Sequence, residues 1–122
     1  MKKSSLILIL LILIVAAAGV FLIKNSSQKT NQPVTVLMEE DRFTPENLTI
    51  KKGTTVIFKN VDKVPRWPAS NIHPTHTIYP EFDPLQPIDP GQSWNFQFDK
   101  VGVWKDHDHL IPSIRGIITV TE

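Results

Sequence analysis

Hydrophobic and polar residues are distributed in three different ways along the chain. Residues 6–23 form an unbroken apolar run, residues 25–33 are polar without a pattern, and from residue 34 onward apolar and polar residues alternate in short stretches. Alternation with a period of two is typical of β-strands that bury one face. The pattern therefore predicts an apolar N-terminal segment, a linker and an all-β domain.

Short segments with alternating patterns or strong β propensity recur through residues 34–122. Turn-forming residues separate them, as in an all-β sandwich. A domain of this length has room for one modest core between two sheets. The predicted strands are Val34–Met38, Leu48–Ile50, Thr54–Phe58, Ser93–Phe98, Val101–Trp104 and Ile114–Val120.

The alternation stops between Val64 and Gly91. Seven of the ten prolines fall in this segment, and a connection of this length inside a compact domain is usually functional or disordered. Its apolar content is too high for a disordered tract. We therefore expect a rigid, ordered loop that lies over the sandwich. The apolar residues in question are Trp67, Ile72, Ile78, Tyr79, Phe82 and Leu85.

The apolar run at residues 6–23 predicts a transmembrane helix, with residues 1–24 as the membrane anchor. Eighteen residues rise about 27 Å as a helix, close to the thickness of the hydrocarbon core. Lys2 and Lys3 favour a cytoplasmic N-terminus, so the domain would lie on the extracytoplasmic side, periplasmic or extracellular, with residues 25–33 as a flexible stalk. A cleaved signal peptide, which would leave a secreted protein, is the alternative, because Ala16–Gly19 supplies small residues near the end of the run.

The overall charge of +1 hides an asymmetry between the two parts of the chain. Residues from 30 onward carry nine basic and twelve acidic side chains, a net charge of −3. This balance disfavours a nucleic acid as partner, since nucleic acid binding needs a basic face. The chain has no cysteine, which excludes disulfides, a lipid-modified N-terminal cysteine and all thiolate chemistry.

The four histidines of the chain occur as two close pairs, His73 with His76 and His107 with His109. In an extended segment alternate side chains share a face, so the rings of His107 and His109 project together. Two imidazoles at that spacing can bind the same ion. Because no histidine lies elsewhere, we expect the two pairs to meet in space and bind one metal ion, with His73 the least secure ligand.

The type of ligand limits the choice of metal. Imidazoles suit copper, zinc, nickel and iron, and copper(II) binds most strongly of the divalent ions in this series. Soft ligands for copper(I) are scarce, since Met38 is the only methionine besides Met1. The sequence therefore favours Cu²⁺, with zinc as the alternative. Asp106 and Asp108 are expected either to be solvated acids at a strand end, to orient the imidazoles, or to provide a direct ligand.

With these strands and histidines in place, the chain resembles the cupredoxins, the family of plastocyanin-like copper proteins, over about residues 34–122. The resemblance implies a Greek-key β-sandwich and adds to the expectation of copper. It is carried by Phe43–Pro45, Leu48–Ile50, Gly53, Val56–Phe58 and Asn60–Asp62 near the start, by His76–Ile78 at the first copper-ligand segment, and by Gly102–Trp104, Pro112, Gly116 and Ile118–Val120 at the closing hairpin.

The predicted site departs from the family pattern. A cupredoxin closing loop carries Cys, His and often Met, and the corresponding residues here are Asp108, Ile111 and Ile114. Of the usual ligands only His76 remains, so a blue copper site is not expected. Residues 104–109 also resemble, over a short stretch, the His-x-His strands of multicopper oxidases, which bind copper through histidine alone.

The sequence thus predicts a membrane-anchored, extracytoplasmic copper-binding protein that binds, delivers or buffers copper. A redox or copper-trafficking protein is a possible partner. Two alternatives remain open at this stage. One is a mononuclear copper redox enzyme or electron-transfer protein with an open coordination position, and the other is a metal-free or zinc-bound interaction module. A Ser-His-acid catalytic set is not supported, because no serine lies in a nucleophile turn.

Overall fold

A computed structural model describes residues 31–122, which form eight strands and two sheets. Within this range no helix is long and apolar enough to cross a membrane. The predicted anchor at residues 1–24 lies outside the described residues, as does most of the predicted stalk. The strands are β1 (Val34–Met38), β2 (Phe43–Thr44), β3 (Asn47–Lys51), β4 (Thr54–Asn60), β5 (Pro68–Ser70), β6 (Ser93–Phe98), β7 (Gly102–Asp108) and β8 (Arg115–Thr121).

The strands form two four-stranded sheets with the orders β2-β1-β4-β6 and β3-β8-β7-β5. Each sheet contains one parallel pair, which is β1 with β4 in the first sheet and β3 with β8 in the second. The other neighbouring strands are antiparallel. Residues of both sheets alternate between buried and exposed positions, so the apolar faces pack against each other. The all-β sandwich expected from the sequence is confirmed.

All six predicted strands are present, with small shifts at their ends. The largest shift is in β7, which continues past Trp104 to Asp108 and so includes His107. Two short strands were not predicted. β2 has only two residues, and β5 begins at Pro68 inside the proline-rich segment, where proline is accepted because β5 is an edge strand of its sheet.

The core is made of aliphatic and aromatic side chains from both sheets and from the loop between β5 and β6. Three phenylalanines are fully buried: Phe58, Phe82 and Phe98. The ring centroid of Phe82 lies 5.3 Å from that of Phe58 and 5.0 Å from that of Phe98. Trp94 stacks on Phe82, with an interplanar angle of 3°. Buried aromatic pairs of this kind add to the stabilisation given by apolar burial alone.

The proline-rich loop is ordered and covers the sandwich, as expected from its composition. Tyr79 and Phe82 belong to the core, and Ser70 at the end of β5 binds the loop through two hydrogen bonds. Its hydroxyl contacts the carbonyl oxygens of His76 and Tyr79, each at 2.9 Å. These contacts fix the loop over its own strand and determine where its histidines lie.

Asp106 is a buried acid in β7 that faces Gly116 of β8. The two residues are register partners, and a Cβ at position 116 would lie 2.5 Å from Asp106 Oδ1. A side chain at position 116 would therefore displace the carboxyl group of Asp106, and its Cβ would also lie 3.1 Å from the Glu46 carbonyl oxygen. Asp106 is 1% exposed, and its Oδ1 has no hydrogen-bond partner among the described residues. Burial raises the pKa of Asp106 to about 8. The expectation that Asp106 is a solvated acid was wrong.

This raised pKa predicts a loss of stability with rising pH. Between the unfolded value of 3.8 and about 8, the folded protein retains a proton that the unfolded chain has released. The free energy of unfolding therefore decreases by up to about 1.4 kcal/mol per pH unit in this window and levels off above it. We expect Asp106→Asn to flatten the curve between pH 6.5 and 8, measured by urea unfolding. Asp99→Asn, at an exposed turn, is the control, and parallel curves for wild type and Asp106→Asn would contradict the prediction.

Candidate metal centre

The four histidines meet at one end of the sandwich, although they come from separate segments. His73 and His76 lie in the loop after β5, His107 lies near the end of β7, and His109 follows that strand. One ring nitrogen from each lies within 4.8 Å of the others. The closest pairs are His73 Nδ1 with His107 Nε2 at 3.3 Å and His76 Nε2 with His109 Nδ1 at 2.9 Å. We call these four residues the histidine cluster.

His76 enters the cluster because its backbone adopts an unusual conformation. Its φ of +54° lies in the left-handed region, which non-glycine residues seldom occupy and in which histidine is enriched. The surrounding structure holds it there, since its N–H donates to the carbonyl of Ile72 at 2.7 Å and its carbonyl accepts from Ser70. The result is a loop histidine that is only 4% exposed.

Two side chains outside the cluster orient its buried rings. His76 Nδ1–H donates to Asp83 Oδ2 at 2.6 Å, and His107 Nδ1–H donates to Asn71 Oδ1 at 2.9 Å. Since the carboxylate and the amide oxygen only accept, both rings carry their proton at Nδ1. Their Nε2 atoms therefore present lone pairs toward the cluster, which is the arrangement that metal-binding histidines use.

Asp83 joins three parts of the site through its two oxygens. Oδ1 accepts hydrogen bonds from the Trp67 indole N–H and the Leu85 backbone N–H, both at 2.8 Å, while Oδ2 accepts from His76. Burial works against ionisation, but the hydrogen bonds from His76, Leu85 and Trp67 together hold the pKa of Asp83 below its usual value. Asp83 is thus an anion fixed against one side of the cluster.

The other two rings are held more loosely. His109 is half-buried, its ring lies 4.6 Å from the Trp67 ring between centroids, and its backbone N–H donates to the Trp67 carbonyl at 2.7 Å. His73 is exposed and contacts the cluster through its ring alone. Trp67 thus packs against the histidine cluster and is not among the residues of the core.

The environment disfavours protonation of His107 and His109. Burial, followed by the nearby His76, His73, His109 and Arg115, lowers the pKa of His107 to about 4. Burial, followed by His76 and His73, also lowers the pKa of His109. At neutral pH these two imidazoles are uncharged, and each keeps one nitrogen lone pair, as metal ligation requires.

Asp108, the last residue of β7, lies between His107 and His109 in the sequence but points away from the cluster. Its Oδ2 accepts from the Arg66 guanidinium at 3.2 Å, and its Oδ1 accepts from the backbone N–H groups of Leu110 at 2.9 Å and Trp67 at 3.3 Å. Arg66 also pairs with Asp62 and donates to the Glu40 carbonyl at 2.6 Å. The expectation that Asp108 is solvated was wrong, since Asp108 is 0% exposed and Arg66 only 1%.

Within residues 31–122 no carboxylate of Asp106 or Asp108 hydrogen bonds to an imidazole, so they do not orient the rings. That role belongs to Asn71 and Asp83. Asn71 carried no signal in the sequence, because its contact depends on the path of the loop. Asp83 lies in the histidine-bearing loop, where its position is a sequence signal that it shares with Tyr79 and Glu81. Those two side chains do not face the cluster, since Tyr79 is in the core and Glu81 pairs with Lys100.

The cluster is close to the dimensions that a metal ion requires. Zinc–imidazole bonds of about 2.0–2.1 Å place neighbouring nitrogens about 3.3 Å apart in a tetrahedral site, and no pair further apart than about 4.2 Å. The cluster has pairs at 2.9 and 3.3 Å and none beyond 4.8 Å. For all four nitrogens to share one ion, a pair 4.8 Å apart would close by about 0.6 Å if its nitrogens lay on opposite sides of the ion, and by about 1.5 Å in a tetrahedral site.

The sequence profile of the cupredoxin-like domain family matches residues 9–120 of the chain. The chain belongs to the cupredoxin-like domain family. This confirms the family expected from the opening and closing motifs and accounts for the two sheets with their mixed pairing. A comparison of this cupredoxin-like chain with curated proteins gave no match.

Solved structures agree with the family assignment. A purple cupredoxin from Nitrosopumilus maritimus is 26% identical, with a TM-score of 0.63 over 72% of this chain and 99% of its own. A copper-containing nitrite reductase from Thermus scotoductus SA-01 is 27% identical, with a TM-score of 0.61 over 74% of this chain but only 22% of its own. An amicyanin variant, 19% identical with a TM-score of 0.63 over 72% of this chain and 81% of its own, shares the fold.

This cupredoxin-like chain does not carry the ligands of a blue copper site. No cysteine exists to supply a thiolate, and the residue at the corresponding position, Asp108, is paired with Arg66. Ile114, at the position of the methionine, is buried in the core, and Met38 is fully buried in β1. The donor set offered by the histidine cluster is four imidazoles, which fits a divalent ion of intermediate softness.

Proposed function

We propose that this cupredoxin-like protein binds one copper ion through His73, His76, His107 and His109, and that it does so to hold, deliver or buffer copper. The observation that carries the proposal is the meeting of four imidazoles whose ring nitrogens lie within 4.8 Å of one another, two of them with an Nε2 lone pair oriented by Asp83 and Asn71.

Copper is favoured over other ions on chemical grounds. Copper(II) lies highest in the affinity order of divalent first-row metals for nitrogen ligands, and zinc is the alternative that the same ligands accept. The nitrite reductase that this chain resembles is itself described as copper-containing. Because the described part of the chain offers no sulfur at the cluster, the oxidised ion should be favoured over copper(I).

The absence of a thiolate from the sequence separates this site from electron-transfer cupredoxins. A copper–thiolate bond gives blue sites their colour and helps to tune their potential. A site of four imidazoles would instead be a non-blue site with weak visible absorption. We therefore favour copper binding and delivery over electron transfer, with a copper redox enzyme as the alternative function.

We also propose that residues 1–24 anchor the protein in a membrane, with the copper-binding domain on the extracytoplasmic side. The apolar run of residues 6–23 and the two lysines before it support this proposal. The full-length chain should stay with the membrane fraction after washing at high salt and alkaline pH. A mature protein that begins near residue 20 and is recovered in the soluble fraction would instead identify a cleaved signal peptide.

Removal of His107 or of His109 should weaken copper binding. We expect the wild-type chain in detergent to bind one Cu²⁺, with nitrogen hyperfine structure and a wide copper splitting in electron paramagnetic resonance. His107→Ala should lower copper affinity about 100-fold or more, and His109→Ala about tenfold to 100-fold, since each removes a ligand. Asn95→Ala, on the exposed face of β6, is the control. Unchanged affinity in both histidine variants would show that copper binds elsewhere.

Asp83 should influence copper binding without touching the ion. Asp83→Asn keeps the size of the side chain but removes the charge that holds His76 in its binding tautomer. Loss of such a partner typically lowers metal affinity about 10- to 100-fold. Asp89→Asn, the same substitution at an exposed position, should leave affinity unchanged. Equal affinities for the two variants, measured by chelator competition, would contradict the role given to Asp83.

A further inference from the structure

The four histidines are not equally restrained. The restraint decreases from His76 and His107 through His109 to His73. His76 and His107 are buried, and both nitrogens of each ring are engaged by protein groups. His109 is partly buried, with its ring against Trp67 and its backbone bonded to the same residue. His73 is exposed, and the only hydrogen bond described for its ring is the 3.3 Å contact with His107. His73 is therefore the ligand that moves at the lowest cost.

A cavity of about 200 Å³ lies on the side of the cluster that His73 faces. We call it the access cavity. A water molecule takes about 30 Å³ in the liquid, so there is room here for a small polyatomic ion with some of its water. The residues that line it are Asn71, Ile72, His73, His107, Pro112 and Arg115.

Arg115 is the one charged residue that lines the access cavity. Its Nε–H donates to the Pro112 carbonyl at 3.3 Å, and within residues 31–122 it forms no salt bridge. Arg115 lines the same cavity as His73 and His107, so its charge lies on this side of the histidine cluster. A guanidinium without a carboxylate partner beside two imidazoles makes the access cavity attractive to an anion.

We propose that His73 is the exchangeable ligand of the copper site, and that a small anion enters through the access cavity, is attracted by Arg115 and takes the place of His73 on the metal. This inference rests on the proposed copper binding. The step is a ligand exchange: the bond from His73 Nδ1 to the metal breaks, a bond from the anion forms, and no electron is transferred. Such a site can accept a donor atom from outside while His76, His107 and His109 retain the ion.

Azide is a suitable probe, because its binding to Cu²⁺ produces a charge-transfer absorption band and alters the electron paramagnetic resonance spectrum. Full-length protein loaded with Cu²⁺ is titrated with azide. Arg115→Gln should weaken azide binding about three- to tenfold, as loss of one partly screened charge near the anion predicts. Lys105→Gln removes the same charge from the neighbouring strand β7 outside the access cavity, and it should leave azide binding unchanged.

The variants His73→Ala and His109→Ala test whether the anion reaches the metal from the side of the access cavity. His73→Ala should retain one copper ion on three imidazoles and bind azide at least about tenfold more tightly than wild type, because the position is already open. Adding Arg115→Gln to His73→Ala should again weaken azide binding. His109→Ala also removes one ligand, but on the Trp67 side, so its azide affinity should not depend on Arg115.

The outcomes separate this inference from the proposed function. Copper binding by wild type, together with azide affinity that does not respond to Arg115→Gln or His73→Ala, would overturn the inference and leave the copper site intact. Loss of copper from His73→Ala would also overturn it, since His73 would then be essential. Failure of the wild-type chain to bind copper would overturn both proposals.

Discussion

The buried pairing of Arg66 with Asp108 holds the candidate metal centre in place. Asp108 lies between His107 and His109, while Arg66 and Trp67 immediately precede β5, the strand that leads into the loop with the other pair. The Asp108 carboxylate accepts from the Arg66 guanidinium and from the Trp67 backbone N–H, so the end of β7 and the segment before β5 are fixed to each other by contacts of 3.2–3.3 Å. A buried charge is tolerated only with this degree of compensation, and removal of one partner from such a pair typically costs about 3–5 kcal/mol.

That pairing also explains how a cupredoxin fold can lose its cysteine and keep an organised site. The position that the family uses for a thiolate here holds a carboxylate that points to the opposite side of the strand. Alternation along β7 then leaves His107 and the following His109 facing the cluster. His107 and His109 thus flank Asp108, the residue that the resemblance to cupredoxins aligns with the family's cysteine.

Much of this was predictable from the sequence, for physical reasons that differ between elements. Strands such as β1 and β6 were predicted with their observed ends because alternation of polar and apolar residues reports burial directly. The pairing of the histidines was visible because no other histidine competes for the role. β5 was missed because a three-residue edge strand beginning at a proline leaves no periodic pattern.

The environment of the acids could not be read from the sequence at all. Asp106 and Asp108 lie in a polar stretch that is typical of a solvated strand end, yet both are buried. Their burial depends on partners distant in the chain, Gly116 in one case and Arg66 in the other. The role of Asn71 and Asp83 as partners of the imidazoles is recognisable only in the folded structure. It depends on distances between side chains, which the spacing of residues along the sequence does not give.

The all-imidazole composition of the cluster has a consequence for durability. Thiolates and thioethers are the side chains that oxidants convert to sulfenic, sulfinic or sulfoxide products, and those products alter or destroy a ligand. The described part of this chain contains a single sulfur atom, in Met38, and that residue is 0% exposed inside β1. The histidine cluster therefore contains no side chain that sulfur oxidation could alter.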